Sequence, residues 1–291
     1  MRIAILADIH ANLLALEAVI ADLEIAQPDQ VIVAGDFQNR GPAPKEVYDR
    51  LRKFDWPLLR GNHEDYVIEQ SESPTEQAHA VDLYAWQPAR WTAERVPETI
   101  PFLRTLPIAI QLSGPDGSFI CIAHGSPRSN AEGFFPSTRD EKAFDMLGEP
   151  MPRVLCCGHT HLPLQRQIGP TRVFNVGSVG FPFDGDLRAA YGILNWSEGK
   201  WSTELRRVPY PVETVLESLA SPEFLEGLGP MARIIQRELE TARPHLTLFT
   251  FTFLPRVRSG ELAIYEAVDE YLAHSQAEIE NLYVELRRRL R

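Results

Sequence analysis

The chain has 291 residues, 44% of them hydrophobic and 24% charged, with a formal net charge of −11. That length fits one large α/β domain, or a domain of about 200 residues with an appendage. The acidic balance excludes a sequence-independent grip on nucleic acid, which needs a basic face, and leaves room for a small phosphorylated substrate held at a local positive centre.

The first residues, MRIAILADIH, read as a β-strand and not as a signal peptide, since one basic residue is followed by an acid with no small-residue cleavage site. ANLLALEAVIADLEIA follows, with Leu13, Leu16, Val19, Ile20 and Leu23 at helical spacing. QPDQ breaks that helix. VIVAG at 31–35 is the next buried strand, KEVYDRLRKF the next helix, and PLLRGN a third strand end. This β-α-β-α-β rhythm predicts parallel strands with crossover helices, whose ligands bind at the strands' carboxyl ends. The segment from Ser71 to Thr105 reads as helices, with Trp86 and Trp91 as packing residues. FICIAHGS, RVLCCGHTH, TRVFNVGSVG and AAYGILNW read as further strands. Cys121, Cys156 and Cys157 lie in apolar strands, which predicts reduced, buried thiols and a cytoplasmic protein. Adjacent strand residues face opposite ways, so Cys156 and Cys157 make a poor metal pair. No apolar run reaches bilayer-spanning length, so no membrane partner is expected.

From Val212 onward the composition turns mostly helical, which predicts a domain over 1–211 and a helical extension over 212–291. Within the extension, LTLFTFTF alternates Phe249, Phe251 and Phe253 with threonines, the pattern of one half-buried strand. The last segment sets Val268, Leu272, Ile279, Leu282, Leu286 and Leu290 at helical steps. It predicts a helix packed on its own domain, or else the seam of a homodimer.

Every strand end in the first section carries a metal-type side chain: Asp8 and His10, then Asp36, then Asn62 and His63, then His124, then His159 and His161. Residues two apart on a strand face the same way, so Asp8 with His10, and His159 with His161, can each reach one ion. Five of the eight histidines sit at these ends. His79, His245 and His274 fall outside and read as structural or surface residues. Histidine nitrogens, carboxylates and an amide oxygen without thiolate suit Mn, Fe, Zn or Ni better than Mg or Ca. The ligands are too many for one ion. Two ions sharing a carboxylate fit better, and such pairs clamp both oxygens of an in-line displacement at phosphorus.

The blocks DIH, GD, GNHE, HG and GHTH, in this order, resemble the signature of the calcineurin-like metallophosphoesterase superfamily, over residues 1 to about 210. AHGSPR and NVGSVGFPFDGDLRAAY are similar to its small bacterial and archaeal phosphodiesterase branch. The resemblance implies a two-sheet α/β sandwich with helices outside. It implies that Asp8, His10 and His161 hold one divalent ion, that Asn62, His124 and His159 hold a second, and that Asp36 bridges them. Mn is the favoured metal, with Fe, Ni or Zn as alternatives. A hydroxide between the ions would attack phosphorus in a phosphodiester. His63 would protonate the leaving alkoxide or hold a phosphate oxygen, and Gly61 would let the backbone bend between Arg60 and Asn62.

Some positions depart from the family pattern. Asn39, in GDFQNRGP, stands where the protein phosphatase and dinucleotide tetraphosphatase branches carry an Asp beside the GNH histidine. An amide cannot stabilise a charged imidazole as a carboxylate does, which predicts a lower His63 pKa. Ala11 replaces the usual Gly. Arg40 resembles a phosphate-binding arginine, and Arg128 is a second candidate for that role. His161 argues against the protein phosphatase branch. Alternatives to a phosphodiesterase are a monoesterase or protein phosphatase, a dinucleotide polyphosphate hydrolase, and a scaffold that no longer hydrolyses anything; the scaffold is disfavoured because no ligand is missing.

Overall fold

The computed structural model describes residues 1–72 and 80–289. Their order is β1 (Arg2–Leu6), α1 (Leu13–Ala26), β2 (Gln30–Val33), α2 (Pro44–Leu51), α3 (Asn62–Glu72), α4 (Ala80–Arg95), α5 (Ile100–Leu103), β3 (Ala109–Ser113), β4 (Phe119–Ala123), α6 (Asp140–Leu147), β5 (Val154–Cys157), β6 (Leu164–Ile168), β7 (Thr171–Asn175), β8 (Ala189–Ser197) and β9 (Lys200–Val208). Seven helices follow: α7 (Val212–Leu219), α8 (Pro222–Leu228), α9 (Pro230–Thr241), α10 (His245–Thr252), α11 (Leu254–Arg258), α12 (Ile264–Leu272) and α13 (Gln276–Arg289).

Two mixed sheets form the centre, one in the order β2-β1-β8-β9 and one in the order β3-β4-β5-β7-β6. Strand β1 shows why they stack. Its odd residues Ile3 and Ile5, with Ala7 beyond the strand end, pack between the sheets against Ile120, Ile122, Val154, Cys156 and Phe174. Its even residues Ala4 and Leu6 face α1, where Leu16, Val19, Ile20 and Leu23 are buried. A strand buried on both faces by alternation needs a layer on each side. The second sheet repeats this, with Cys121, Leu155 and Cys157 packed outward on Ala143 and Met146 of α6. The layers therefore run helix, sheet, sheet, helix. Cys156 faces inward and Cys157 outward, and all three cysteines are free and buried. Burial pushes the Cys121 thiol up to about 12.

The parallel pairs β1/β2 and β4/β5/β7 bring their carboxyl ends to one edge of the sandwich. There the two sheets are joined by backbone bonds, Val179 N–H to Ala7 O at 2.9 Å and Gly180 N–H to Asp8 O at 3.0 Å. The PLLRGN stretch, read as a strand, makes only an isolated parallel bridge from Leu58 to Val33. Strands β3 and β6 were not foreseen. They close opposite edges of the second sheet as antiparallel partners of β4 and β7.

LTLFTFTF is not a strand. It forms α10, where Phe249 and Phe253, four apart, stack at 5.9 Å in the helical core while Phe251 stays 49% exposed. Packing on α9 decides the matter over the β-propensity of the threonines and phenylalanines. The last segment divides into α12 and α13, broken around Ser275. Val268 is buried, and Ile279 and Leu282 pack against the same core. His79 and Leu290 lie outside the described residues, as does the side chain of Leu286. The extension docks on the sandwich through Trp91 of α4 and through Phe181 and Phe183, which pack on Phe224, Ile235 and Leu239. Among the described residues, no helix is long and apolar enough to cross a membrane.

Candidate metal centre

The loops after the strand ends are sharply turned. Asp8, His10, Ala11, Asp36, Arg40, His159 and His161 all have positive φ, between 48° and 86°. Non-glycine residues adopt that region at a cost of order 1 kcal/mol each, and such strain collects at functional sites. Gly61 has no positive φ, so its role is not the bend expected of it. A Cβ there would lie 2.1 Å from Asp36 Oδ1. The glycine is needed so that the third block can press against the second.

Asp8, His10 and His161 form one cluster, and Asp8, Asp36 and His124 another, each with ligand atoms within 4.8 Å of one another. Asp8 Oδ1 lies 3.4 Å from His161 Nε2 and 3.9 Å from His10 Nε2. Asp36 Oδ2 lies between the clusters, 3.7 Å from His10 Nε2 and 3.3 Å from His124 Nε2. Asn62 Oδ1 is 3.0 Å from His124 Nε2 and 2.8 Å from His159 Nδ1. Thus Asp8, His10, Asp36, Asn62, His124, His159 and His161 are brought together at one point.

The hydrogen bonds show what this arrangement fits. His10 Nδ1 faces the Asn39 carbonyl at 3.1 Å, and His161 Nδ1 faces the Phe181 carbonyl. A carbonyl only accepts, so each ring carries its proton on Nδ1. Both Nε2 lone pairs then face each other at 3.1 Å. His124 Nδ1 donates to the Ala34 carbonyl at 2.7 Å, so Nε2 is the nitrogen turned to Asn62 and Asp36. Asp8 Oδ1 is buried with no hydrogen-bond partner. Acceptors facing acceptors in a buried place repel unless a cation lies among them, and backbone carbonyls that fix the far nitrogen are what metal-binding histidines need. The residues fit divalent metal ions.

The charges are set by burial and by one another. Burial lowers His10 well below the usual imidazole range, and the His63 and His161 rings add to it. Burial would raise the Asp36 carboxyl, but His124, which Asp36 and Asp8 push up to about 10 against its own burial, offsets that and holds it well below the usual range; without an ion, a proton on that ring supplies the positive charge. Burial lowers His159 to about 4. Glu64 was passed over in the sequence, although it stands in GNHE. Its carboxylate accepts backbone N–H bonds from Asp36 at 2.7 Å, Phe37 at 2.9 Å and Gly61 at 2.8 Å, so it ties the second block to the third. Burial and the Asp36 charge push it up to about 7, while those donors pull the other way.

His63 opens α3 beside the cluster and is lowered to about 3, first by burial. The direction is the one expected, but its cause is burial, with the Arg40 charge adding to it and Asp36 opposing it, and not the Asn39 amide. Asn39 does contact the ring, 2.8 Å from Nδ1. Arg40 lies on the same floor, its guanidinium 2.7 Å from Glu238 of α9 and about a ring's breadth from Phe181 and Phe183. Burial raises the Glu238 carboxyl, and Arg40 opposes that. Nothing in the local sequence marks Glu238 as a partner for Arg40. Arg128 is not at the site. Its side chain is exposed and committed to Glu132 at 2.8 Å and Asp145 at 2.7 Å, because the HGSPR loop turns it toward α6. His245 is buried between Thr241 and Tyr271, and His274 bonds the Glu270 carbonyl, as structural histidines do.

Over the cluster lies a cavity of about 540 Å³. Its floor includes Asp36, Asn62, His63, His159, His161 and Arg40. Its walls include Trp86, Phe135, Leu246, Phe251 and Tyr283, several of them from the helical extension.

Residues 1–199 match the family model of the calcineurin-like phosphoesterase superfamily domain. The chain belongs to that superfamily. It is 27% identical over 245 residues to an uncharacterised protein of Methanocaldococcus jannaschii, covering 78% of this chain and 95% of that one. In fold it is similar to a metallophosphoesterase of Sphaerobacter thermophilus, with a TM-score of 0.64, 24% identity, and coverage of 83% of this chain and 99% of the other. It is also similar to a hypothetical protein of Pyrococcus horikoshii, with a TM-score of 0.67, 19% identity, and coverage of 83% and 98%.

Proposed function

We propose that this calcineurin-like phosphoesterase is a dinuclear, metal-dependent hydrolase of small organic phosphodiesters. The observation that carries the proposal is the pair of facing lone pairs of His10 and His161 Nε2 at 3.1 Å, with His124 Nε2 turned to Asn62 at 3.0 Å, beneath a cavity whose floor takes in His161 and Asn62. Asp8, His10 and His161 would hold one ion, Asn62, His124 and His159 the other, and Asp36 would serve both. Bound there, two divalent ions supply Lewis acidity to a phosphoryl oxygen and a lowered pKa to a water molecule. Glu64 keeps Asp36 and Gly61 in register through its three N–H bonds. His63 reaches an oxygen of the phosphoester, either to protonate it or to hold it by a hydrogen bond.

The charge on the floor favours a diester over a monoester. Arg40 and Arg258 are the guanidiniums that line the cavity among the described residues, and Glu238 neutralises Arg40, the one beside the metal-type cluster, at 2.7 Å. A diester carries one negative charge, and a monoester near neutral pH carries nearly two. The apolar walls suit the second organic substituent that only a diester has. Such a cavity, within the few-hundred-Å³ range of small-molecule sites, admits small phosphoesters rather than a folded phosphoprotein.

The test is metal-stripped protein assayed on bis-p-nitrophenyl phosphate and p-nitrophenyl phosphate with Mn, Ni, Zn, Mg or no metal. Metal-dependent turnover of the diester, lost in His63→Ala, is expected. Turnover of the monoester alone would replace the diester reading with a phosphatase. No turnover of either would leave a metal-binding scaffold.

A further inference from the structure

Asn39 makes more bonds than an orienting neighbour needs. Its Oδ1 accepts the backbone N–H of Arg40 at 2.8 Å and the hydroxyl of Thr92 at 3.1 Å. A backbone N–H can only donate, so it fixes which end of the Asn39 amide is oxygen. The NH₂ end then points at His63 Nδ1, at 2.8 Å. An amide NH₂ also only donates, so His63 Nδ1 must accept and carries no hydrogen. The Asn39 backbone carbonyl meanwhile receives the His10 ring at 3.1 Å, so the residue is held from both ends. Thr92 and Asn39 are buried, and water does not compete for the bond between them.

We propose that Thr92 and Asn39 form a relay that fixes His63 as a neutral imidazole with its hydrogen on Nε2, which makes it a hydrogen-bond donor to a phosphoester oxygen and not a proton donor. The role in hydrolysis rests on the function proposed above; the tautomer does not. A carboxylate at residue 39 would have the opposite effect. It would accept Nδ1–H and leave a bare Nε2 until a second proton arrived. With Asn39, Nε2–H is present from the start, and losing it outright would leave an imidazolate beside the Arg40 charge, which Glu238 already neutralises at 2.7 Å. The ring therefore keeps its proton, and the leaving oxygen takes one from water. Of the two roles left open for His63, the relay selects holding an oxygen. Thr92 lies on α4, outside all five sequence blocks, and acts as a positioning residue through Asn39.

The test is long-range ¹H–¹⁵N NMR of the full chain labelled at histidine, metal-free and Zn-loaded, with the His63 signals assigned by their loss in His63→Ala. The expected pattern has a protonated Nε2 and an unprotonated Nδ1. Asn39→Asp should reverse it. Thr92→Val, which keeps the shape and removes the hydroxyl, should lower kcat on bis-p-nitrophenyl phosphate about tenfold, the scale of one net hydrogen bond, with KM within about twofold. Thr92→Ser should restore it. A protonated Nδ1 in the wild type, a pattern unmoved by Asn39→Asp, or a kcat unmoved by Thr92→Val would overturn the relay. Turnover that survives His63→Ala would sink the hydrolytic role of His63 and leave the tautomer standing.

Discussion

Removing the Glu238 carboxylate should destabilise the fold strongly, because of where Arg40 sits. Glu238 is 0% exposed and Arg40 6%. Their 2.7 Å pair is the one carboxylate contact of that guanidinium among the described residues. The Phe181 and Phe183 rings, 5.8 and 5.6 Å from the Arg40 carbon, offer only a weak cation–π substitute. Glu238→Ala leaves a buried cation without its counter-charge, a change worth about 3–5 kcal/mol. It also strands the Leu246 N–H, now 2.8 Å from the carboxylate, at the start of α10. For a chain of this size that is a drop of about 10 °C in Tm. Arg40→Met with Glu238→Leu removes both charges and keeps the volume. Since buried pairs gain little over packed apolar groups, the double variant should recover most of the loss. Thermal unfolding by circular dichroism, with urea midpoints as a second measure, decides it. A Glu238→Ala protein within about 1 kcal/mol of wild type, or a double variant no better than the single, would refute the reasoning about this pair.

Other consequences follow from single contacts. Gly61→Ala puts a Cβ 2.1 Å from Asp36 Oδ1, and it should cost about 1–3 kcal/mol and weaken Mn binding by calorimetry. His245 is lowered to about 4 by burial, below the ordinary value near 6.5 of the unfolded chain. The unfolded state therefore takes a proton first, and about 3 kcal/mol of stability should be lost as pH falls from about 6.5 to 4. His245→Gln should flatten that slope in urea titrations across the range. Arg128→Ala should leave kcat/KM for the diester within about twofold, because the side chain faces Glu132 and Asp145 and not the cavity.

The clustering of the candidate ligands was largely legible in the sequence because its information is local. Asp8 with His10, and His159 with His161, fall two apart where a strand gives way to a tight loop, and stacking the two sheets with their parallel strands' carboxyl ends at one edge brings those loops together. The helical extension was legible in outline, but not the state of LTLFTFTF. Its period-two pattern is real, yet Phe249 and Phe253 are also four apart, and only the packing of α10 on α9 selects the helix. What local reading could not supply is contact between distant segments. Glu238 beneath Arg40, Thr92 beneath Asn39 and Glu64 across two blocks each depend on the whole fold. Arg128 misled for the same reason, since the HGSPR motif does not say which way its loop turns.

The central claim is that seven side chains at the strand ends hold two divalent ions. Counting bound Mn or Zn per chain by elemental analysis and calorimetry, after stripping and reloading, tests it most directly. About two ions per wild-type chain, falling in both His161→Ala and His124→Ala and falling furthest in Asp36→Ala, is the expected result. A stoichiometry of one or none, or a count unmoved by Asp36→Ala, would contradict it.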